Sequence, residues 1–368
     1  MSIPTVSVAM VVCNMEPYVG ESIESILNQS FRDFEFVIVD FGSTDNTAAI
    51  VAKYRSGDGR IRFHTVPSCG LAEARNASCF LARGRYIALM DADDVAFPDR
   101  LERQVDFLEK HPEIGLVGGA LECIGPAGSP RYIREYFSTD AKIRESLRHG
   151  NAFAQNTILM RKEVMTEVKG YRKAFAVGED YDLWLRIAER YQVANLREPV
   201  VCYRLHSDQV GVRKLRHEVM NCLAAQAAAR QRAQGGADTL GDVTAITPEV
   251  LESLGVSRAA LTQALAQAYG DRINTMLQVA NDDVVLSLAG ELVELARSGP
   301  VNHSILSSAC LSAARIQFKR GAYLAALRST LRAGRARPVI IGRPVKNLVR
   351  RGLAALKPGP HPRGASAK

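Results

Sequence analysis

Residues 85–101 read RYIALMDADDVAFPDRL, an apolar run that ends in three carboxylates within four positions, Asp91, Asp93 and Asp94. The apolar part predicts a short buried strand, and Pro98 followed by apolar residues at helical spacing predicts a helix with proline in its first turn. The acids therefore lie at the carboxyl edge of a strand, where open α/β sheets bind ligands. A D-x-D pair there can hold a hard divalent cation and, through it, a diphosphate. Alternatively, these acids solvate a loop and cap the next helix.

Strands alternate with helices around this segment. Apolar or β-rich runs predict strands at residues 5–13, 34–40, 61–66 and 114–119, and a helical pattern follows each of the first three. Such βα repeats indicate a doubly wound α/β sheet. The alternation stops after residue 120, where GPAGSP separates two short extended runs as in a hairpin. From about His217 the pattern is almost wholly helical, so an all-α C-terminal region should follow the sheet.

The length of 368 residues exceeds that of most single domains, so two are expected. We expect an α/β domain over residues 1–216 and a helical domain over 217–336, with a linker at about 235–247. Residues 337–368 should form a basic amphipathic helix followed by a disordered tail.

Charge is distributed unevenly along the chain. The net charge is +8, but residues 295–368 carry 15 Lys and Arg and no Asp or Glu, so residues 1–294 carry a net −7. The basic segment predicts contact with an anionic membrane surface, with packing on neighbouring helices as the alternative. Nucleic acid is not expected as a partner, because the segment lacks interleaved aromatic residues. The sequence also shows no membrane-spanning run, no signal peptide and no C-x-x-C spacing, which indicates a cytoplasmic location with reduced thiols.

Five motifs occur in a recognisable order: SVAMVVCN near residue 10, VDFGSTDNT at 39–47, GLAEARNAS at 70–78, MDADD at 90–94 and GEDYDLWLRIAER at 178–190. In this combination the chain resembles the family-2 glycosyltransferases over about residues 5–210. The resemblance implies a GT-A-type doubly wound mixed sheet and an inverting transferase that uses a nucleotide-diphosphate sugar.

The resemblance assigns the donor site to side chains at the ends of several strands. It places Asp40 against the nucleoside, with Val11 and Asn14 bordering it, and it directs the planar fork of Arg75 toward the phosphates. Two positions depart from the family pattern: Phe41 stands where an acid usually contacts uracil, and Cys13 stands where tyrosine is common. One hypothesis is that Phe41 stacks on the base. The alternative for Asp40 is that it only caps the turn.

The resemblance also assigns the metal and the catalytic base. It implies Mn²⁺ or Mg²⁺ held by Asp93 and Asp91, with His206 as a further ligand or phosphate contact. Asp180 matches the base that removes the acceptor proton, and Glu179 stands beside it. Asp94 should support the loop instead of the ion. Trp184, the only tryptophan, could form a floor for the acceptor sugar, although core packing is the alternative because Tyr181, Ile187 and Ala188 share its helical face.

Together these features predict a metal-dependent hexosyltransferase that transfers a sugar, with UDP as the expected carrier, to a saccharide or lipid-linked acceptor. The expected setting is cell-surface polysaccharide or lipopolysaccharide synthesis, with the protein peripheral at the inner face of the plasma membrane. One alternative is a related protein that binds nucleotide sugar or glycan without turnover. Another, a nucleotidyltransferase, would want an early glycine-rich loop with a following Arg and Lys, and the sequence shows none.

Overall fold

The computed structural model describes residues 3–205, 214–241, 243–278 and 281–337. The chain forms two compact units, Met1–Ser257 and Arg258–Lys368. The first is built on a mixed β-sheet with helices, and the described part of the second is helical. The fold class expected from the sequence is therefore confirmed. The domain boundaries expected at residues 216 and 336 stay predictions, and helix Leu215–Ala233 belongs to the first unit.

In the described part of the chain nine strands form one sheet. They are β1 Val6–Val12, β2 Phe34–Asp40, β3 Ile61–Thr65, β4 Tyr86–Asp91, β5 Val95–Ala96, β6 Ile114–Ile124, β7 Pro130–Arg134, β8 Leu159–Arg161 and β9 Gln192–Arg204. Their order in the sheet is β3-β2-β1-β4-β8-β6-β9-β5, with β7 paired to β6. β1 pairs in parallel with β2 and β4, whereas β8 joins β4 and β6 in antiparallel fashion. β9 pairs in parallel with β6, and register shifts mark this pairing.

Seven helices accompany the sheet as far as residue 188, with a short 3-10 helix at Gln155–Thr157. They are α1 Val19–Leu27, α2 Thr47–Gly57, α3 Leu71–Leu81, α4 Arg100–Lys110, α5 Asp140–Leu147, α6 Lys162–Glu167 and α7 Glu179–Ala188. Two more helices among the described residues of the first unit are α8 Leu215–Ala233 and α9 Pro248–Ser253. The interruption expected at residues 235–247 separates α8 from α9.

The central strands form because both of their faces are covered. All seven residues of β2 are buried, as expected for a parallel strand between helical layers. Ile23 and Ile26 of α1 are fully buried in the same hydrophobic core as Val8 and Met10 of β1. Burying side chains of this size contributes about 1.5–3 kcal/mol each. The core therefore holds the carboxyl ends of β1, β2 and β4 at one edge.

The described part of the second unit contains four helices: α10 Arg258–Gln278, α11 Asp282–Ser298, α12 His303–Lys319 and α13 Tyr323–Ala336. Asn281 and Asn302 accept hydrogen bonds from the first-turn amides of α11 and α12, as N-caps do. Among the helices that the structure describes, none is both long enough and apolar enough to cross a membrane. His206 and the amphipathic helix expected at 339–356 lie outside the described residues.

Candidate active site

The strand register brings the acids of two motifs to one edge of the sheet. Val11 of β1 pairs with Asp91 of β4, and the next residue, Val12, pairs with Asp40 of β2. Because all three strands are parallel, the loops that follow them leave the sheet on the same side. Sequence motifs separated by about 50 residues are therefore adjacent in space.

Hydrogen bonds join the loops that follow β1 and β2. Asp40 Oδ1 accepts from the backbone amides of Gly42 at 3.0 Å and Ser43 at 2.8 Å. Gly42 has a φ of +111°, which favours glycine, and lies close to Ser68. Asn14 Oδ1 accepts from the amide of Thr44 at 2.8 Å. Asp40 thus makes the turn contacts of its alternative interpretation, and its role toward a nucleoside stays a prediction.

Asp94 supports the D-x-D loop from the protein interior, as expected from the sequence. Asp94 is completely buried, and its carboxylate accepts hydrogen bonds from the Asn156 amide and from the backbone amide of Arg204. Arg204 also donates from Nε to the carbonyl of Asp93 at 3.0 Å and pairs with Glu21 at 2.7 Å. These contacts fix the backbone of the loop, whereas Asp91 and Asp93 are partly exposed.

Arg75 of α3 links the D-x-D loop to the start of α7. Its Nη2 lies 3.1 Å from Asp91 Oδ1, and its Nη1 lies 2.5 Å from Glu179 Oε1. The side chain of Arg75 is 13% exposed, and that of Glu179 only 2%. Both Nη groups of Arg75 therefore face carboxylates, and Glu179 points into the protein, away from the surface where an acceptor would bind.

Negative charge accumulates around Asp91. Burial raises the pKa of Asp91, and Arg75 opposes this, whereas the charges of Asp93 and Asp180 raise it further. Burial also raises the pKa of Asp94, again with contributions from Asp93 and Asp91. The carboxylates of the D-x-D loop and of α7 thus lie within electrostatic reach of one another. A hard divalent cation bound by Asp91 and Asp93 would relieve this repulsion, so these residues fit such an ion.

The described residues contain no set of three or more His, Cys, Asp or Glu arranged around a metal position. Two carboxylates are nevertheless sufficient for Mg²⁺, which commonly takes its other ligands from water and substrate phosphates. His206, the third ligand implied by the resemblance, is not among the described residues.

Asp180 lies in the first turn of α7, with its side chain partly exposed. The Asn151 amide donates to its Oδ2 at 2.9 Å, and the Tyr181 backbone amide donates to its Oδ1 at 2.8 Å. Gly178, with a φ of +67°, turns the chain into this helix. The N-terminus of a helix favours the ionised form of a carboxylate, which is the form that a base requires.

Trp184 does not face an acceptor, so the assignment as an acceptor floor is wrong. Its side chain is completely buried, and its ring meets that of Phe153 edge-on at 5.9 Å between centroids. Tyr181, Ile187 and Ala188 are buried on the same helix. The core-packing alternative is confirmed, because three-to-four spacing on an amphipathic helix places these residues together.

Three residues that hold the site in place were not identified from the sequence. Arg204 supports the D-x-D loop, Asn156 binds Asp94, and Asn151 orients Asp180. Arg204 is the last residue of β9, two positions before the predicted ligand His206, and this proximity was the one signal for it in the sequence. Asn151 and Asn156 lie in an irregular segment without periodicity, so sequence patterns alone gave no reason to select them.

Comparison with known proteins identifies the family. Residues 7–169 match the family model described as glycosyl transferase family 2. The putative glycosyltransferase EpsE of Bacillus subtilis strain 168 is 35% identical over 239 residues, which cover 62% of this chain and 83% of EpsE. The chain belongs to glycosyltransferase family 2.

Other relatives extend this picture. The O-antigen biosynthesis glycosyltransferase WbnJ of Escherichia coli is 34% identical over 207 residues, 55% of this family-2 chain and 80% of WbnJ. Among solved structures, S. aureus TarS 1–349 in complex with UDP aligns with 86% of this chain and 92% of its own, at 18% identity and a TM-score of 0.46. The sequence matches to EpsE and WbnJ confirm the family resemblance expected from the five motifs, and with it the expectation of a glycosyltransferase.

Proposed function

We propose that this glycosyltransferase is inverting and metal-dependent, and that it transfers a sugar from a nucleotide-diphosphate donor to a saccharide or lipid-linked acceptor. One observation supports the proposal: Arg75 contacts both Asp91 and Glu179, the neighbour of Asp180, so the expected metal acids and the expected base lie near one another at one edge of the sheet. A transferase needs this proximity, because the base and the leaving group act on the same anomeric carbon.

The nucleoside of the donor would bind at the loops after β1 and β2. Val11, Asn14, Asp40 and Phe41 lie there, and Phe41 is partly exposed at the end of β2. An aromatic face at this position can stack on a base and replace the tyrosine surface that Cys13 lacks. UDP is our expected carrier, and a Phe41→Ala variant should lose donor affinity if the stacking hypothesis holds.

Asp91 and Asp93 would hold Mn²⁺ or Mg²⁺, with His206 as a further ligand. The ion would neutralise charge on the diphosphate as it leaves. Arg75 would contact the phosphates only if one of its two ion pairs opened, because both Nη groups now face carboxylates.

Asp180 would act as the base. Its carboxylate would accept the proton of the attacking acceptor hydroxyl while that oxygen displaces the diphosphate from the opposite face of the sugar. Glu179, buried against Arg75, would set the position of this helix end and take no part in proton transfer. Direct displacement by one nucleophile inverts the anomeric centre.

Cell-surface polysaccharide synthesis is the setting we propose, supported by the name of WbnJ as an O-antigen biosynthesis enzyme. We further propose that the protein binds the inner face of the plasma membrane through its basic C-terminal part. Helix α13 supports this: Leu324 and Leu331 are 60% and 57% exposed on the face that carries Arg328 and Arg335. Basic residues beside exposed leucines suit an anionic lipid surface.

The test is a transfer assay with UDP- and GDP-sugars, Mn²⁺ and a panel of acceptor glycosides. Asp180→Asn should abolish transfer while donor binding, followed by calorimetry, stays within about twofold of wild type. The matched control is Asp106→Asn, which removes a carboxylate from the exposed face of α4. NMR of the product should show the opposite anomeric configuration to the donor, and chelation of divalent cations should stop the reaction.

The alternative is a protein that binds nucleotide sugar without turnover, an idea suggested by the departures from the family pattern at Cys13 and Phe41. In that case the wild type would bind a nucleotide sugar and show neither transfer nor hydrolysis under any of these conditions. Retention of configuration, or full activity of Asp180→Asn, would contradict the proposed role of Asp180.

A further inference from the structure

Three tyrosines and one arginine lie together on the hairpin side of the candidate site. Across the sheet, Cys123 of β6 pairs with Tyr132 of β7 on one side and with Tyr203 of β9 on the other. Arg134 lies two positions after Tyr132, so alternation places both side chains on the same face of β7. Nη2 of Arg134 donates to the Tyr132 hydroxyl at 3.2 Å.

Tyr136 completes this group, which we call the phenol cluster (Tyr132, Arg134, Tyr136 and Tyr203). Tyr136 and Tyr203 both pack against the small hydrophobic core of Leu121, Val200 and Val201. The cluster therefore has an apolar base, with the charge of Arg134 and the hydroxyl groups as its polar part.

The phenol cluster borders both groups of site carboxylates. Burial raises the pKa of Tyr203, and Asp94, Asp93 and Asp91 raise it further, whereas Arg134 lowers it. Burial likewise raises the pKa of Tyr136, with Arg134 opposing and Asp180 contributing to the increase. Tyr203 is thus within electrostatic reach of the D-x-D loop, which its neighbour Arg204 contacts through the carbonyl of Asp93 and the carboxylate of Asp94, and Tyr136 is within electrostatic reach of Asp180. A molecule whose hydroxyl reached Asp180 would have neighbouring groups within reach of the cluster.

The guanidinium of Arg134 forms no ion pair with a carboxylate in the described part of the chain; its hydrogen bonds are to the hydroxyl groups of Tyr132 and Tyr136. In contrast, Arg75 and Arg204 both pair with carboxylates. An exposed arginine on an edge strand can simply discourage strand pairing. Arg131, on the same strand, already supplies such a charge, and alternation turns it to the opposite face. Protection of the strand edge therefore does not explain why Arg134 contacts the tyrosine hydroxyl groups.

We propose that Arg134 and its three tyrosines bind an anionic group of the acceptor, either a phosphate or a carboxylate. The proposal rests on the proposed function, because Asp180 defines where the acceptor hydroxyl must lie. A planar guanidinium pairs with two oxygens of either anion, and phenol hydroxyl groups can donate to the remaining ones. The enzyme would therefore discriminate against neutral acceptors.

Binding of three probes by calorimetry tests this in the full-length protein with Mn²⁺ and saturating nucleoside diphosphate. The probes are octyl glucoside, octyl glucuronide and glucosyl diphosphate octyl ester, which are neutral, carboxylate and phosphate ligands respectively. We expect at least one anionic probe to bind about tenfold or more tightly than the neutral one, as for hydrogen bonds to charged groups. The anionic probe that gains more affinity over octyl glucoside, the diphosphate or the glucuronide, identifies which anionic group the acceptor carries.

Variants distinguish a specific anion-binding site from general electrostatic attraction of the anionic probes. Arg134→Ala should lose the tenfold preference and bind octyl glucoside as wild type does, and Arg134→Lys should keep only part of it because the fork is lost. Arg131→Ala, the matched control, should keep the preference. Equal affinity of wild type for all three probes, or the same loss in both alanine variants, would overturn the proposal.

Donor hydrolysis without acceptor distinguishes this failure from failure of the proposed function. The matched control Arg131→Ala, which lies outside the phenol cluster, should hydrolyse donor at the wild-type rate. Normal hydrolysis and transfer without any preference for anions overturns the acceptor inference alone. No hydrolysis and no transfer by wild type overturns the proposed function and this inference with it.

Discussion

Asn151 and Asp180, 29 positions apart in the chain, are joined by a hydrogen bond of 2.9 Å from the amide nitrogen to Oδ2. The orientation of the Asn151 amide is itself fixed, because its Oδ1 accepts from the backbone amide of Phe153 at 3.2 Å. With Oδ1 of Asp180 held by the Tyr181 amide, both oxygens of the proposed base have defined partners.

Asn151→Ala should lower the kcat of transfer about tenfold and leave the KM for donor unchanged. A hydrogen bond to a charged group is worth about 1.5–3 kcal/mol, and partial exposure places this one near the lower end. Steady-state kinetics with varied donor makes the measurement. His149→Ala, in the same exposed segment, is the control, and an equal loss in both variants would argue for a general disturbance of the loop.

Arg75→Met should destabilise the first unit by about 3–5 kcal/mol, since it leaves the buried carboxylate of Glu179 without its partner. Urea unfolding followed by Trp184 fluorescence reports on this unit. Adding Glu179→Gln should recover part of the loss, because the unpaired charge disappears. Arg85→Met removes an exposed pair with Glu109 and should cost less than about 1 kcal/mol. Similar costs for the two single variants would contradict this account.

Glu35 of β2 should make stability depend on acid pH. Its carboxylate is 4% exposed, accepts from Ser7 Oγ at 2.6 Å and pairs with Arg62 and Arg83. Burial raises the pKa of Glu35, but these hydrogen bonds outweigh burial and hold it below the ordinary 4.5. The unfolded chain therefore binds the proton more readily, so this stabilisation is present above pH 4.5 and is lost as the pH falls through the folded-state pKa.

A Glu35→Gln variant tests the prediction that this stabilisation is lost as the pH falls. The variant should be less stable at pH 7 by about 2 kcal/mol and should lose less stability than wild type between pH 5 and about pH 3. Urea denaturation at several pH values measures both. If the free energy of unfolding fell with pH in parallel for the two proteins across this range, Glu35 would not contribute to the loss of stability in acid.

Trp184 should behave as a core residue in every assay. Its fluorescence should be blue-shifted and protected from iodide, and addition of acceptor should not change it. Trp184→Ala should cost about 3–5 kcal/mol of stability through the cavity it leaves. Trp184→Phe should leave the KM for acceptor unchanged. A raised KM for acceptor in a stable Trp184→Phe protein would restore the acceptor assignment.

Vesicle binding tests the membrane proposal. Full-length protein should float with vesicles that contain phosphatidylglycerol and not with phosphatidylcholine alone, and deletion of residues 337–368 should release it. Leu324→Glu with Leu331→Glu should also weaken binding, whereas Leu277→Glu, at an exposed leucine of α10, should not. Unchanged binding after the deletion would refute the role of the basic tail.

Local sequence patterns were sufficient for the fold class and for the first four parallel-paired strands of the sheet. Continuous apolar runs predicted β2 and β4 because a parallel strand buries both faces, and the five motifs in order indicated the family. The role of Asp94 as a loop support was also expected. Apolar runs and the order of motifs depend on local sequence, so short segments reveal them, whereas the partners of Asp94 are Asn156 and Arg204, 62 and 110 positions away.

The contacts between distant segments were decided only by the tertiary structure. Arg75 was expected at phosphates, yet it pairs with Asp91 and Glu179, the latter 104 positions away. The sequence left the role of Trp184 open between an acceptor floor and core packing, and the structure buries its side chain against Phe153. Periodicity identifies the side of a helix that is apolar, but what covers that side, and which charge a buried guanidinium meets, depends on how the strands and helices pack in three dimensions.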